Sequence, residues 1–327
     1  MKYMKIGKLP VKSASAVSLG TWAIGGGEWW GDNDDRESMD TIRAAVDGGI
    51  TLIDTAPAYG KGHSEEVLGR ALKGIRNKVC ISTKCGLVWN VEEGSFFFEK
   101  DGFRIMRNLS PASVKREVED SLRRLQTDHI DIYFTHWQSV PPFFTPIEET
   151  MGMLLKLKQE GKILAIGASN VSPEQIEEYA SCGGVDIIQE KYSMLDRGAE
   201  TKFFDLVKKH GITFQAYSPL EMGLLTGAIG KDFVPAPGSA RASKKWFQKE
   251  NFPRAVNMLE GWSDLKEKYN CTYTHLAIAW LLAQGDFINV LCGARKVFQL
   301  KDNIGGADIE LDAADVKRMR EDLEKLG

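Results

Sequence analysis

Four ionisable side chains of this sequence stand at the ends of three short apolar runs. Asp54 closes Thr51-Leu-Ile, with Tyr59 five residues further on; Lys84 closes Val79-Cys-Ile-Ser-Thr; and His136 closes Ile130-Asp-Ile-Tyr-Phe-Thr. Folds that alternate strands and helices place their chemistry where strands end on the carboxyl side. Together the four are suited to moving a proton. A free phenol titrates near pH ~10, so Tyr59 can protonate a developing alkoxide but needs assistance near neutrality. An ammonium at Lys84 favours the phenolate and is expected to lower the Tyr59 pKa, with Asp54 orienting Lys84 and balancing its charge. His136 is expected to donate a hydrogen bond to a substrate oxygen or to relay a proton. The reaction this predicts is carbonyl reduction, with hydride from a nicotinamide and a proton from Tyr59. Singly, each residue has a plainer role: a packed tyrosine, a turn-capping aspartate, a solvated lysine, a core histidine. The joint placement on three strand ends argues for chemistry.

The elements that must position these residues alternate from end to end. Strands are expected at Ala16 to Gly20, Thr51 to Asp54, Val79 to Thr83, Ile130 to Thr135, Ile163 to Ala168, Asp186 to Gln189, Thr213 to Tyr217 and Asn289 to Cys292. Helices are expected at Asp35 to Asp47, His63 to Leu72, Ser110 to Leu125, Pro146 to Glu160, Ser172 to Tyr179, Ala199 to His210, Arg254 to Tyr269 and Thr274 to Leu282. Ser110-Pro111 and Ser172-Pro173 read as N-caps followed by proline at the first helical position. Gly161 and Gly211 follow cationic last turns and read as C-terminal glycines. Eight strand–helix repeats without an internal linker predict one (β/α)₈ barrel domain over residues 1–327, preceded by an N-terminal hairpin from Tyr3 to Ser13. The alternative, an open doubly wound sheet, lacks its usual nucleotide fingerprints, since neither GxGxxG nor GxxxxGK occurs. Two connections, Gly86 to Leu109 and Glu221 to Pro253, are too long for plain turns and leave strands on the catalytic face. Trp89, Phe96-Phe-Phe98, Trp246 and Phe247 make them apolar enough to close over a ligand.

Composition narrows the function classes. In 327 residues, 43% are hydrophobic and 27% charged, and the net charge of −3 gives no electrostatic case for nucleic acid or an anionic membrane. No apolar run approaches the roughly 18 residues needed to span a bilayer. The first residues lack the apolar stretch of a secretory signal. Five cysteines without close CxxC pairs argue against a disulfide framework or a zinc site, and the expected compartment is the cytoplasm. Cys85, beside Lys84, is expected to be inert packing rather than a redox thiol.

A series of motifs resembles the aldo-keto reductase family in order along nearly the whole chain. They are Leu-Gly20-Thr21-Trp22, Asp54-Thr-Ala-x-x-Tyr59-Gly, Ser82-Thr-Lys84, Asp131-x-Tyr-x-x-His136-Trp, Gly167-Ala-Ser169-Asn170, Gln189-x-x-Tyr192, Tyr217-Ser-Pro-Leu220, Gly223-Leu-Leu-Thr-Gly227 and Gly293-Ala-Arg295-Lys-x-x-Gln299-Leu-x-x-Asn303. Within the family the chain looks most like bacterial members of the methylglyoxal-reductase type, which act on small ketoaldehydes, aldehydes and open-chain sugars. The resemblance implies a catalytic tetrad of Asp54, Tyr59, Lys84 and His136, with Tyr59, His136, Trp22 and Trp137 facing the substrate. It implies a nicotinamide stacked on Tyr217, its carboxamide held by Ser169, Asn170 and Gln189. Gly20, Thr21, Trp22 and Asp54 would line the ribose side. Ser218, Pro219, Leu220, Gly223, Leu225 and Gly227 would follow the pyrophosphate, and Gly293, Ala294, Arg295, Gln299 and Asn303 would meet the adenosine. Many NADPH-preferring relatives carry Lys-Ser where this chain has Gly293-Ala294, yet Arg295 and Lys296 suit a 2′-phosphate. NADPH is therefore the expected cofactor, NADH the alternative, and no metal is expected. The competing functions are a sugar or polyol dehydrogenase of the same fold, a nucleotide-sensing regulatory subunit, and an aldolase or isomerase using Lys84 as a Schiff-base nucleophile.

Overall fold

In the computed structural model, which describes residues 1–7, 9, 14–89, 91–100 and 102–326, eight parallel strands close into a barrel. They are β1 (Val17–Gly20), β2 (Leu52–Asp54), β3 (Cys80–Cys85), β4 (Ile130–Thr135), β5 (Ile163–Ser169), β6 (Ile187–Lys191), β7 (Thr213–Tyr217) and β8 (Ile288–Gly293). β8 pairs with β1, Val290 opposite Val17 and Gly293 opposite Gly20, which closes the ring. Helices between successive strands cover the outside, so the strands are buried on both faces and read as apolar runs. Ser110 and Ser172 cap the helices Pro111–Leu125 and Pro173–Ser181 as expected, each side chain accepting from the backbone N–H three residues on. Among the described residues the N-terminal hairpin survives as Tyr3–Met4 paired with Ala14–Ser15; its expected stretch at Lys8 and Pro10 to Ser13 lies outside them.

Strand alternation stacks the barrel interior in layers. Leu52, Cys80, Ile132, Phe134, Ala165 and Ile187 form an apolar floor with Ile6 and Ala14 from the hairpin. Two residues above these floor positions come Asp54, Ser82 and Gln189, and a further step from Ser82 and Phe134 reaches Lys84 and His136. Phe134 fills the centre, and a Cβ on Gly167 of the neighbouring strand would sit 2.4 Å from its ring, so this position must be glycine.

Three features differ from expectation. Gly86 to Leu109 folds as a three-stranded antiparallel sheet, with Phe103–Arg107 between Leu87–Val88 and Ser95–Lys100. Arg254 to Tyr269 is two helices, Phe252–Glu260 and Ser263–Lys268, broken where Trp262 turns into the core and its Nε1 donates to Asp322. Beyond β8 lie the helices Val297–Gly305 and Ala313–Glu324, for which no range was expected.

Candidate active site

The structure brings Asp54, Lys84 and Tyr59 into direct contact. Lys84 is fully buried and its Nζ donates to Asp54 Oδ2 (2.6 Å), to the Thr55 carbonyl (2.7 Å) and to Tyr59 Oη (3.1 Å). The other Asp54 oxygen accepts from Ser82 Oγ (2.8 Å) and Gln189 Nε2 (3.0 Å). Tyr59 reaches this point because its loop interlocks with the one after β1. Gly60 has φ +64°, and a Cβ there would meet the Gly25 carbonyl oxygen at 2.3 Å. The His136 ring meets Tyr59 edge-on, with centroids 5.9 Å apart.

Burial dominates the electrostatics. It pushes the Tyr59 hydroxyl well above its ordinary value, and the Asp54 charge adds to the rise. The expectation of a lowered Tyr59 pKa is thereby corrected: removing a phenolate from water, with a carboxylate behind the lysine, outweighs the ammonium at 3.1 Å. Burial also lowers Lys84, opposed by the charge and hydrogen bond of Asp54. His136 is held well below its usual range by burial and then by Lys84, so its imidazole is neutral. A protonated phenol touching a buried ammonium, beside a neutral imidazole, can give a proton to an oxygen lodged between the two rings. The phenolate left behind keeps its cation. Burial pushes the Cys85 thiol up as well, consistent with inert packing.

The expected nicotinamide residues share one end of the barrel. Tyr217 Oη donates to Asn170 Oδ1 (3.0 Å), and Asn170 Nδ2 donates to the His136 carbonyl (2.8 Å) and to Ser169 Oγ (3.0 Å). Gln189 Nε2 donates to Asp54 Oδ1 and to Gln215 Oε1 (2.6 Å). Along the next segment Ser218, Glu221, Met222, Gly223 and Gly227 all have positive φ, a tight turn in which the Glu221 and Gly223 N–H groups donate to the carbonyls of Ser218 (3.0 Å) and Leu220 (2.9 Å). Thr21 and Leu225 are fully buried, and the Thr21 hydroxyl donates to the Asp54 carbonyl (2.9 Å), so these two support the site from behind. Gly20, Pro219, Leu220 and Ala294 offer backbone rather than polar side chains. Gln299 Oε1 accepts from the backbone of Arg295 (3.0 Å), and Asn303 Nδ2 donates to the Gly293 carbonyl (3.2 Å); both shape the loop that carries Arg295. Gly293 is exposed, with nothing nearer to a Cβ than the Gly20 carbonyl oxygen at 3.8 Å, which leaves room beside it.

At the mouth, Trp22 lies 6.4 Å from Tyr59 and edge-on to Trp30 at 5.2 Å, and Trp137 packs on Phe97 at 5.0 Å. Trp246 and Phe247 do not close over a ligand. Both are buried against Leu224, Phe252 and Ala255, because the Trp246 Nε1 finds its acceptor, the Leu195 carbonyl, on the protein side (3.1 Å). Two features escaped the sequence reading. Gln189 continues through Gln215 and Asn289 to Ser18 as one buried hydrogen-bonded chain across the barrel; single polar residues inside apolar strands were its signal. Arg241 donates from Nε (3.0 Å) and Nη2 (2.8 Å) to the Met222 carbonyl beside Gly223, and Arg295 stands near enough for its charge to lower Arg241 further than burial does alone. No sequence motif marked it.

Known proteins resemble this chain along nearly its whole length. The profile of the Aldo/keto reductase family matches residues 16–324. The chain is 50% identical to the NADH-specific methylglyoxal reductase of Escherichia coli, covering 100% of this chain and 99% of that one. The glycerol dehydrogenase of Gluconobacter oxydans superposes with a TM-score of 0.88 at 37% identity, over 98% of this chain and 94% of its own. An aldo/keto reductase from Klebsiella pneumoniae, solved with NADP and acetate, gives 0.73 at 25% identity over the same shares.

Proposed function

The chain belongs to the aldo-keto reductase family, and we propose that this NAD(P)H-dependent enzyme reduces small ketoaldehydes such as methylglyoxal, with Tyr59 as proton donor. The observation that carries the assignment of roles is Lys84, fully buried with its ammonium in contact with both Asp54 and Tyr59. When bound, the reduced nicotinamide supplies a hydride to the carbonyl carbon. Tyr59 gives its phenolic proton to the carbonyl oxygen, and Lys84 stabilises the resulting phenolate. Asp54 fixes Lys84 and keeps it charged. The neutral His136 donates a hydrogen bond to the same oxygen. Tyr217 offers the aromatic face, and Ser169, Asn170 and Gln189 hold the carboxamide. Trp22 and Trp137 shape the substrate end.

The cofactor preference follows from two arginines. Arg241 and Arg295 stand close enough for their charges to interact, Arg241 donating to the Met222 carbonyl beside Gly223 and Arg295 to the Trp30 carbonyl. A pyrophosphate satisfies one such cation, and a 2′-phosphate gives the second an anion. This favours NADPH, although the Escherichia coli relative is named for NADH. Without disulfides, its five cysteines free, the enzyme suits a reducing cytoplasm. The test is a kinetic screen of both reduced cofactors with methylglyoxal, glyceraldehyde, aromatic aldehydes and aldoses. Cofactor oxidation with methylglyoxal and with at least one other small aldehyde is expected; none with any of them refutes the reading. Alcohol oxidation outpacing reduction would favour a polyol dehydrogenase, the activity named for the Gluconobacter oxydans neighbour.

A further inference from the structure

Arg107 ends the central strand, Phe103–Arg107, of the sheet that follows β3 at the barrel mouth. Its guanidinium lies 4.0 Å from the ring centroid of Phe97 and 5.1 Å from that of Trp137, the residue directly after His136. Its Nε is buried and has no hydrogen-bond partner among the described residues. Burial lowers the group from its ordinary value, and no ion pair to it is seen among the described residues. Among the described residues of the same segment, the acidic Glu92, Glu93 and Glu99 are exposed. Two other half-buried arginines, Arg76 and Arg124, are each paired with a carboxylate, Asp131 at 2.6 Å and Glu65 at 2.6 Å.

Partial removal of a cation from water is unfavourable unless it gains partners. The faces of two aromatic rings compensate by cation–π attraction. The in-plane N–H edge of the guanidinium, which makes the strong bidentate contacts, is left for an anion. Trp137, which the guanidinium contacts, directly follows His136 in the chain.

We propose that Arg107 is a specificity residue that recognises an anionic group, a carboxylate or a phosphate, on the carbonyl substrate. The substrate class then includes short oxo-acids or phosphorylated aldehydes besides neutral ketoaldehydes. This rests on the reading of Tyr59 and His136 as the carbonyl site. The bound anion completes the hydrogen bonding of Arg107 while the carbonyl end lies between Tyr59 and His136. The reaction itself is unchanged.

The test uses two substrate pairs with the full-length enzyme and saturating reduced cofactor: butanal against succinic semialdehyde, and glyceraldehyde against glyceraldehyde 3-phosphate. In wild type the charged member of at least one pair should show the lower KM, and that KM should rise with salt. Arg107→Leu should raise it roughly ten- to a hundredfold more than it raises the KM of the neutral partner, with kcat moved far less. Arg107→Lys, which keeps the charge, should recover part of the loss. The pair that responds distinguishes carboxylate from phosphate. A wild type that takes the neutral member equally well in both pairs, or an Arg107→Leu effect equal on both members, overturns the proposal. The salt dependence is read on wild type alone, so a poorly folding variant does not blunt the test. Reduction of methylglyoxal with no turnover of either pair overturns this proposal alone; no turnover of any carbonyl removes the reductase reading and this proposal with it.

Discussion

Replacing Lys84 with methionine removes a charge while keeping most of the side-chain volume, and should lower both stability and rate for separable reasons. The lysine is fully buried and paired with Asp54 at 2.6 Å. Without it the Asp54 carboxylate is stranded among two neutral donors, Ser82 and Gln189. Removing one partner of a buried ion pair costs about 3–5 kcal/mol, a large part of the ~5–15 kcal/mol that holds a typical domain together. The rate depends on a different contact. At the 3.1 Å from Nζ to Tyr59 Oη, an ammonium beside a phenolate is worth about 5 kcal/mol at an effective dielectric constant of about 20, and the opposite charge of Asp54 cancels part of it. A fall in kcat of about 10²–10⁴-fold is therefore expected. The double variant Asp54→Asn/Lys84→Met separates the two effects. With no stranded carboxylate, it should be more stable than Lys84→Met alone by at least about 2 kcal/mol. Its turnover should stay low, because Tyr59 still lacks a cation. Urea unfolding measures the stabilities, and loss of reduced-nicotinamide absorbance with methylglyoxal measures the rates. The reasoning fails if Lys84→Met keeps more than about a tenth of wild-type kcat, or if the double variant is no more stable than the single.

Tyr59→Phe deletes only the proton donor and should lower kcat about 10²–10⁴-fold; cofactor affinity, followed by quenching of tryptophan fluorescence, should be nearly unchanged, and a comparable loss of affinity would point to a structural role. His136 is held well below 6.5 in the folded protein, so it stays neutral as the pH falls through 6.5, and carbonyl reduction should show no acid limb there; a limb abolished by His136→Gln would refute this. Glu117 and Glu190 are pushed up by burial to about 7 and about 8 from 4.5. Their folded forms hold protons that the unfolded chain releases, so their contribution to stability is full below 4.5 and is lost as the pH rises towards 8. Glu190→Gln should flatten that decline in urea unfolding across the same interval, and an unchanged slope would count against it. Arg295→Ala should weaken NADPH by about 1.5–3 kcal/mol and NADH by much less; equal losses, or a wild type favouring NADH, would reject the NADPH assignment and leave the tetrad untouched.

How much of this was legible in the sequence depended on phase. Once Leu52, Cys80 and Ile132 are read as facing inward, alternation carries Asp54, Lys84 and His136 to the same interior without further information. Ser82 and Gln189 follow from the same count, as does Gln215, a lone amide between the buried Phe214 and Ala216. The sheet after β3 also left a sign, the turn-forming pair Asp101-Gly102 in the sequence between the apolar runs Phe96-Phe-Phe98 and Phe103-Arg-Ile-Met106, with Lys100 now seen opposite Phe103. Phase says nothing about magnitude or about loops. The direction of the Tyr59 pKa is a contest between a cation at 3.1 Å and the loss of water, and only the packed site decides it. Trp246 and Phe247 have the composition of a lid, but their partners Leu224 and Phe252 come from elsewhere on the same long segment and fold them inward. Arg241 lies in that segment too, outside any strand whose register could have placed it. Strand ends thus transmit chemistry from sequence to structure by counting, whereas loop residues acquire their roles from the neighbours they meet.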